Sequence, residues 1–148
     1  MSATTSNAHE FFMRKCIDLA IEAKTNGESP VGSIIVRNDT IIATGIEAGK
    51  ANMDITFHAE IEAIRMARKV LNTADLSDCI IYTTHEPCIM CSYVIRQAKI
   101  GMVVMSLSSG DTGGFNSQLP VLKDTSITKW GTPPIVITGI LEAACREL

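Results

Sequence analysis

Helix-patterned and strand-patterned segments alternate along the whole chain, and this alternation limits the folds that it can adopt. Apolar residues at helical spacing predict four helices, at about residues 9–25, 58–71, 88–99 and 141–148. Five runs rich in β-forming residues predict strands at 31–37, 40–46, 79–84, 101–106 and 135–138. The order α-β-β-α-β-α-β-β-α predicts an α/β fold in which one mixed sheet is covered by helices on its faces.

The connections between these segments carry turn and cap signals. Asn38-Asp39 predicts a tight turn that joins the first two strands as a hairpin. Residues 48–54 are expected to form a loop, and Asp54 or Thr56 is expected to cap the helix that follows. The polar stretch that contains Gly110, Gly113 and Gly114 is where substrate-facing loops tend to lie. We expect a single domain over residues 1–148, with residues 1–8 as a disordered tail.

Composition narrows the class of protein. The longest apolar runs, such as 34–36 and 79–82, are strand-sized, so no membrane span is predicted. The first residues lack the basic and apolar regions of a secretory signal, which predicts a cytoplasmic protein. Thirteen Lys and Arg against sixteen Asp and Glu give a formal net charge of −3. Because nucleic-acid binders usually carry a basic face, this balance favours a small neutral substrate.

Two short motifs contain the residues that could support catalysis: His58-Ala59-Glu60 and Pro87-Cys88-Ile89-Met90-Cys91. A Cys-x-x-Cys pair at a helix start brings two sulfurs together, and the positive end of the helix favours the thiolates that a metal requires. Two thiolates and one imidazole suit Zn²⁺ and leave a fourth tetrahedral position open, as in catalytic zinc sites. The remaining cysteines, Cys16, Cys79 and Cys145, are expected to be core residues.

The spacing of His58 and Glu60 suggests that the two residues have different roles. At a helix start, it lets the imidazole reach the metal while the carboxylate points at a water molecule that the metal activates. Glu60 would accept the proton of that water, and would then deliver protons to a ring nitrogen and to departing ammonia. The predicted reaction converts a ring amine and water into the oxo product and ammonia.

The two motifs together resemble the H-x-E and P-C-x-x-C signature of the cytidine/deoxycytidylate deaminase superfamily. The resemblance also covers Pro30-Val31-Gly32, and its nearest branch is similar to the guanine, cytosine and tRNA-adenosine deaminases. It implies a three-layer α/β/α fold with about five strands, zinc held by His58, Cys88 and Cys91, and Glu60 as the catalytic residue. It further implies a homodimer whose interface lies near the active site, and an amino-substituted nucleobase or nucleoside as substrate.

Substrate contacts are implied at Val31, Glu47, Ala59 and Pro87, and one of these departs from the branch pattern. An Asn usually stands eleven residues before the metal-binding His and contacts the base, whereas this chain has Glu47. A carboxylate accepts hydrogen bonds but does not donate them when ionised. We therefore expect a substrate rich in donors, such as a guanine-like or aminotriazine-like ring. The loop at residues 110–114 also lacks the Lys that tRNA-editing relatives usually show.

Three alternatives stay open at this point. The first is a tRNA adenosine-to-inosine deaminase, in which the base of an unpaired loop enters the same pocket. The second is a redox protein that uses Cys88 and Cys91 as a dithiol, and the third is a zinc-stabilised binding module without turnover. Among the other candidate residues, His85 is expected to face solvent more readily than the pocket, and His9 is expected at the surface.

Overall fold

The computed structural model describes residues 6–148 and contains one five-stranded mixed sheet. The strands lie in the order β2-β1-β3-β4-β5. The pairs β1–β2 and β1–β3 are antiparallel, whereas β3–β4 and β4–β5 are parallel. This arrangement confirms the predicted mixed sheet of about five strands. The strands are β1 Gly32–Arg37, β2 Thr40–Ile46, β3 Ile80–His85, β4 Met102–Leu107 and β5 Ile135–Ile137.

Helices cover both faces of the sheet, as the alternation of segments predicted. The helices are α1 Ser6–Thr25, α2 Gly49–Asn52, α3 Ala59–Leu71, α4 Ile89–Ala98 and α5 Glu142–Arg146. Three short 3-10 helices, at Gly110–Thr112, Val121–Lys123 and Thr128–Trp130, lie in the long polar stretch between β4 and β5. Within residues 6–148, no helix has both the length and the hydropathy needed to cross a bilayer.

Alternate residues of the central strands supply two separate cores. Ile34, Val36 and Tyr82 pack with α1 on one face of the sheet. Ile35 and Ile81, which point to the other face, belong to a core that includes residues of α3 and α4. Because neighbouring side chains of a strand point in opposite directions, a strand buried on both faces needs a continuous apolar run. The result is the three-layer α/β/α architecture.

The start of α3 packs directly against β2. A Cβ atom at Gly45 would lie 2.1 Å from the carbonyl oxygen of Ala59, so only glycine allows this approach. His58 is the N-cap residue of α3, and Glu60 lies in its first turn. The close approach therefore fixes the backbone that carries two of the candidate functional side chains.

The structure corrects several local predictions. Helix α1 begins at Ser6, so the predicted tail is wrong for residues 6–8, and residues 1–5 lie outside the described residues. The predicted loop at 48–54 contains the short helix α2, whose first N–H groups, from Lys50 and Ala51, donate to the carboxylate of Glu28. A cap supplied from outside the segment leaves no local sequence signal.

Two further predictions near the helix starts are also wrong. Neither Asp54 nor Thr56 caps α3; instead, the backbone N–H and hydroxyl of Thr56 both donate to Asp54 Oδ1 in a local turn. His9 is buried rather than exposed, because its Nδ1 lies 2.9 Å from the hydroxyl of Tyr82 beneath α1.

Candidate active site

The side chains of His58, Cys88 and Cys91 converge where the starts of α3 and α4 meet. Cys88 is the N-cap residue of α4, and Cys91 lies in the first turn of the same helix. His58 Nδ1 lies 3.6 Å from Cys88 Sγ and 3.5 Å from Cys91 Sγ. All three ligand atoms lie within 4.8 Å of one another. The structure thus brings together the three residues that the motifs proposed as metal ligands.

These distances fit a tetrahedral zinc ion. Zinc–sulfur bonds of about 2.3 Å and zinc–nitrogen bonds of about 2.0–2.1 Å, at a tetrahedral angle, place sulfur and nitrogen about 3.6 Å apart. The two observed nitrogen–sulfur distances agree with this value. Among residues 6–148, no fourth His, Cys, Asp or Glu joins the group. Three protein ligands with one open position are typical of a catalytic rather than a structural zinc site.

The three candidate metal ligands shift one another's pKa values. A hydrogen bond from the Cys91 side chain lowers the pKa of Cys88 to about 4. The hydrogen bond with Cys88 raises the pKa of His58 to about 9. The same interaction between the sulfurs raises the pKa of Cys91, so its thiol keeps its proton. Zinc binding therefore requires that His58 and Cys91 lose their protons, as is general for metal ligands.

Glu60 lies beside this cluster in a desolvated position. Its side chain is buried, and the hydroxyl of Thr83 on β3 donates a 2.8 Å hydrogen bond to Oε1. Burial is the largest cause that raises the pKa of Glu60 above its ordinary value. A carboxylate whose pKa is shifted toward neutrality is suited to accept and return protons.

A cavity of about 270 Å³ lies beside Glu60 and the metal-ligand cluster, and two of the predicted substrate contacts also line it. Its lining residues come from the loop before β1, the end of β2, the start of α3, the end of β3 and the loop after β4. They are Ser29, Val31, Glu47, His58, Glu60, His85, Glu86, Cys88 and Ser109. Val31 and Glu47 therefore lie where a substrate could contact them.

Ala59 and Pro87, the other two predicted substrate contacts, are not among the residues that line the cavity. Both are buried, and the carbonyl oxygen of Pro87 already accepts hydrogen bonds from the Ser92 hydroxyl and the Gly114 N–H. In contrast, His85 lines the cavity, so the expectation that it faces solvent is wrong. It is the last residue of β3, where the strand opens onto the site.

Glu86 is a residue at the site to which the sequence analysis assigned no role. Its buried carboxylate accepts hydrogen bonds from the loop that follows β4. The donors are the N–H groups of Ser109, Phe115 and Asn116, the hydroxyl of Ser108 and the amide of Asn116. Its position directly before Pro87-Cys88 was the available sequence signal. Glu86 thus connects the metal-binding turn to a loop that contributes Ser109 to the cavity wall.

A second and larger cavity, of about 510 Å³, lies between α1, β2 and α3. None of the three metal-binding candidates, nor Glu60, lines it. Functional sites combine concave shape with convergent polar groups whose pKa values are shifted, and only the smaller cavity has both. We therefore identify the smaller cavity as the candidate active site.

Residues 6–107 match the model of the family described as the cytidine and deoxycytidylate deaminase zinc-binding region. The chain belongs to this family. The matched region contains the metal-binding cluster, Glu60 and the cavity wall up to the end of β4. The family therefore supports Zn²⁺ as the cofactor, in agreement with the distances between the candidate ligands.

Two of the similar enzymes are named for different substrates. The tRNA-specific adenosine deaminase of Aquifex aeolicus is 36% identical over 129 residues, which cover 85% of each chain. The guanine deaminase of Bacillus subtilis is 44% identical over 92 residues, which cover 62% of this chain and 59% of that enzyme. A solved structure from work on A-to-I editing by tRNA:A34 deaminases superposes with a TM-score of 0.86. It is 28% identical and covers 93% of this chain and 97% of its own.

These similarities establish the cytidine deaminase-like fold and the class of chemistry. The chain is a zinc-type deaminase, that is, a hydrolase that acts on C–N bonds. This result replaces the two alternatives from other classes, the dithiol redox protein and the binding module without turnover. The relatives are not named for one substrate, because the first is a tRNA-specific adenosine deaminase and the second is a guanine deaminase.

Proposed function

We propose that the protein removes the amino group from a free nucleobase or nucleoside, with a guanine-like ring preferred. In this proposal His58, Cys88 and Cys91 hold the zinc ion and Glu60 is the catalytic residue. One observation carries the proposal. A single cavity of about 270 Å³ contains Glu60, two of the metal ligands and the carboxylate of Glu47.

Glu60 performs the proton transfers of the reaction. Zinc, when bound, lowers the pKa of water to near 7 and so supplies a nucleophile at neutral pH. Glu60 takes one proton from the attacking water and passes it to the ring nitrogen beside the reacting carbon. It then takes the remaining proton of the added hydroxyl and passes it to the amino nitrogen, whose bond to carbon breaks to release ammonia and leave the oxo product. Thr83 fixes the carboxylate by its hydrogen bond to Oε1. The buried position excludes bulk water, and the raised pKa of Glu60 lets one group act first as base and then as acid.

Glu47 supports the preference for a donor-rich ring. It is half-buried at the cavity wall, and its Oε2 receives only a long contact of 3.4 Å from the Gly49 N–H. The carboxylate therefore keeps acceptor capacity for a ligand. Guanine offers ring N–H and amino groups, whereas the Watson–Crick edge of adenine alternates one amino donor with a ring acceptor. Val31 supplies an apolar part of the same wall.

The second candidate function is deamination of adenosine in the anticodon loop of tRNA. It is favoured by the relative from Aquifex aeolicus, which this chain matches over 85% of its length, and by the superposition with the tRNA:A34 deaminase structure. The net charge of −3 and the lack of Lys at residues 110–114 speak for the smaller substrate. A protein that binds RNA normally neutralises phosphates with basic side chains.

One comparison separates the two candidates. Zinc-loaded protein is incubated with guanine, cytosine, adenine, their nucleosides and an aminotriazine, and ammonia release is measured. In parallel, it is incubated with an adenosine-containing anticodon stem–loop RNA, and inosine is measured. We expect ammonia release from guanine and no inosine in the RNA. Inosine formation in the RNA, without ammonia from any free base, would overturn the proposal in favour of tRNA.

We further propose that residues 1–148 form a single domain of a cytoplasmic protein, as the sequence predicted, and that the protein forms the homodimer that the resemblance implied. Light scattering coupled to size-exclusion chromatography tests the dimer directly. A mass that corresponds to one 16.0 kDa chain at micromolar concentration would contradict it.

A further inference from the structure

His85 occupies a position in the cavity wall that the zinc chemistry does not require. It is the last residue of β3, it is half-buried, and it lines the same cavity as Glu47 and Glu60. Its Nδ1 lies 2.9 Å from the hydroxyl oxygen of Thr84. A neutral histidine carries its proton on one of the two ring nitrogens, so the direction of this hydrogen bond decides what the other nitrogen can do.

The surroundings of Thr84 determine that direction. Thr84 is fully buried, and its hydroxyl oxygen accepts a 3.3 Å hydrogen bond from the N–H of Gly32. Within residues 6–148, the acceptor for the hydroxyl's own hydrogen is Nδ1 of His85. If Nδ1 carried the proton instead, the hydroxyl would accept twice and its hydrogen would be left unpaired in the core, which native structures avoid. Thr84 therefore donates and His85 Nδ1 accepts.

It follows that the proton of neutral His85 is on Nε2. Burial lowers the pKa of His85, which favours the neutral ring. Nε2 has no hydrogen-bond partner in the part of the chain that the structure describes, and it is not among the fully buried unpaired atoms. The Nε2–H group is thus a fixed donor that is free to bind a ligand at the cavity wall.

We propose that His85 determines specificity by donating Nε2–H to a carbonyl oxygen of the substrate ring. This inference rests on the proposed function and deepens it. His85 offers a donor and Glu47 offers an acceptor, so the cavity is complementary to a ring that carries both a carbonyl and N–H groups. A guanine-like ring has this pattern, and an adenine ring has no carbonyl. The pair therefore selects against adenine-type substrates.

The first test measures the tautomer directly and needs no turnover. Long-range proton–nitrogen NMR spectra of zinc-loaded protein distinguish a protonated from an unprotonated Nδ1. We expect Nδ1 of His85 to be unprotonated in the wild type. In Thr84→Val, which removes the donor with little change in shape, the Nδ1–H tautomer should gain population. A protonated Nδ1 in the wild type would overturn the inference whatever the substrate is.

The second test measures selection with two bases that differ at one atom. Guanine and 6-thioguanine share the amino group that is removed, but a sulfur atom, which is a weak acceptor, replaces the carbonyl oxygen of guanine. We expect His85→Leu to lower kcat/KM for guanine about three- to tenfold, the usual value of one hydrogen bond. The kcat/KM for 6-thioguanine should change less. The ratio of kcat/KM for guanine to kcat/KM for 6-thioguanine should therefore fall.

A control variant and a metal assay separate specificity from general damage. His85→Gln keeps an N–H donor and should retain most of the wild-type ratio, and all variants should hold the same amount of zinc. An unchanged ratio in His85→Leu would overturn the role of His85. A wild-type protein that releases ammonia from no free base would contradict the proposed function, and with it the donation from His85 to a ring carbonyl, whereas the tautomer measurement tests the Nε2–H donor separately.

Discussion

Cys88 pairs with Gly113 in an isolated antiparallel β-bridge, which ties a proposed zinc ligand to the loop that follows β4. Gly113 also lies close to the carboxylate of Glu86, since a Cβ atom at Gly113 would lie 2.0 Å from Glu86 Oε2. Glu86 receives its hydrogen bonds from the same loop on either side of Gly113. Hydrogen bonds therefore join the turn that carries Cys88 to this part of the cavity wall, and Glu86 is their anchor.

The first prediction concerns this anchor. Glu86→Gln replaces a carboxylate with an amide, whose NH₂ group would face backbone N–H donors. We expect the free energy of unfolding to fall by about 2–3 kcal/mol, since several hydrogen bonds to a buried charge are weakened. Urea denaturation of zinc-loaded protein measures the change. Glu142→Gln removes an exposed carboxylate paired with Arg146, and should cost about 0.5 kcal/mol or less. Equal losses in both variants would contradict the anchor role.

The second prediction concerns the acid sensitivity of this anchor. Burial alone would raise the pKa of Glu86, but hydrogen bonds from Asn116, Ser109 and Phe115 outweigh it and hold the pKa below the ordinary value of 4.5. A group with a lowered pKa stabilises the fold above its unfolded pKa, and this contribution is lost as the pH falls through the folded pKa. The difference in stability between wild type and Glu86→Gln should stay constant from pH 7 to about pH 5 and shrink below pH 4. A difference that grows in acid would contradict this sign.

The third prediction concerns substrate preference. In Glu47→Gln, the side chain both donates and accepts, so it tolerates ring acceptors that the carboxylate rejects. We expect the ratio of kcat/KM for guanine over cytosine and adenine to fall about tenfold, on the order of one charge-assisted hydrogen bond. The control is Glu62→Gln on α3, outside the cavity of the site. An unchanged substrate profile in Glu47→Gln would show that Glu47 does not discriminate between bases.

The fourth prediction concerns Arg96, which holds the irregular chain between β4 and β5. Its buried guanidinium donates to the carbonyl oxygens of Val121, Asp124 and Gly131. A lysine ammonium is a point charge and does not reproduce this planar set of donors. We expect Arg96→Lys to lower the free energy of unfolding by about 2 kcal/mol. The exposed replacement Arg146→Lys should be nearly neutral, and thermal unfolding of both variants checks the contrast.

The sheet and the metal cluster were predictable because their signals are local. Strands such as β1 and β3 contain short apolar runs rich in β-forming residues, and His58, Cys88 and Cys91 stand at helix starts with spacing that zinc requires. Each signal lies within a few neighbouring residues. The tertiary fold then only has to bring the two helix starts together.

The predictions that failed depend on contacts between distant segments. Helix α2 forms because Glu28, more than twenty positions earlier, accepts from its first N–H groups. His9 is buried because Tyr82 on β3 lies opposite it. The sequence assigned no role to Glu86, because its partners lie in a loop with no periodic pattern. Long-range polar contacts of this kind are not indicated by any periodic pattern of residues in the sequence.

The most direct test of the account measures zinc content and ammonia release together in wild type and Glu60→Ala. Glu60 is not one of the three metal-ligand candidates, so its removal should leave about one zinc ion per chain. Ammonia release from the best substrate of the panel should fall by at least two orders of magnitude, the usual contribution of a general acid–base group. A variant that keeps its activity, or a wild-type protein that binds no zinc, would contradict the proposed active site.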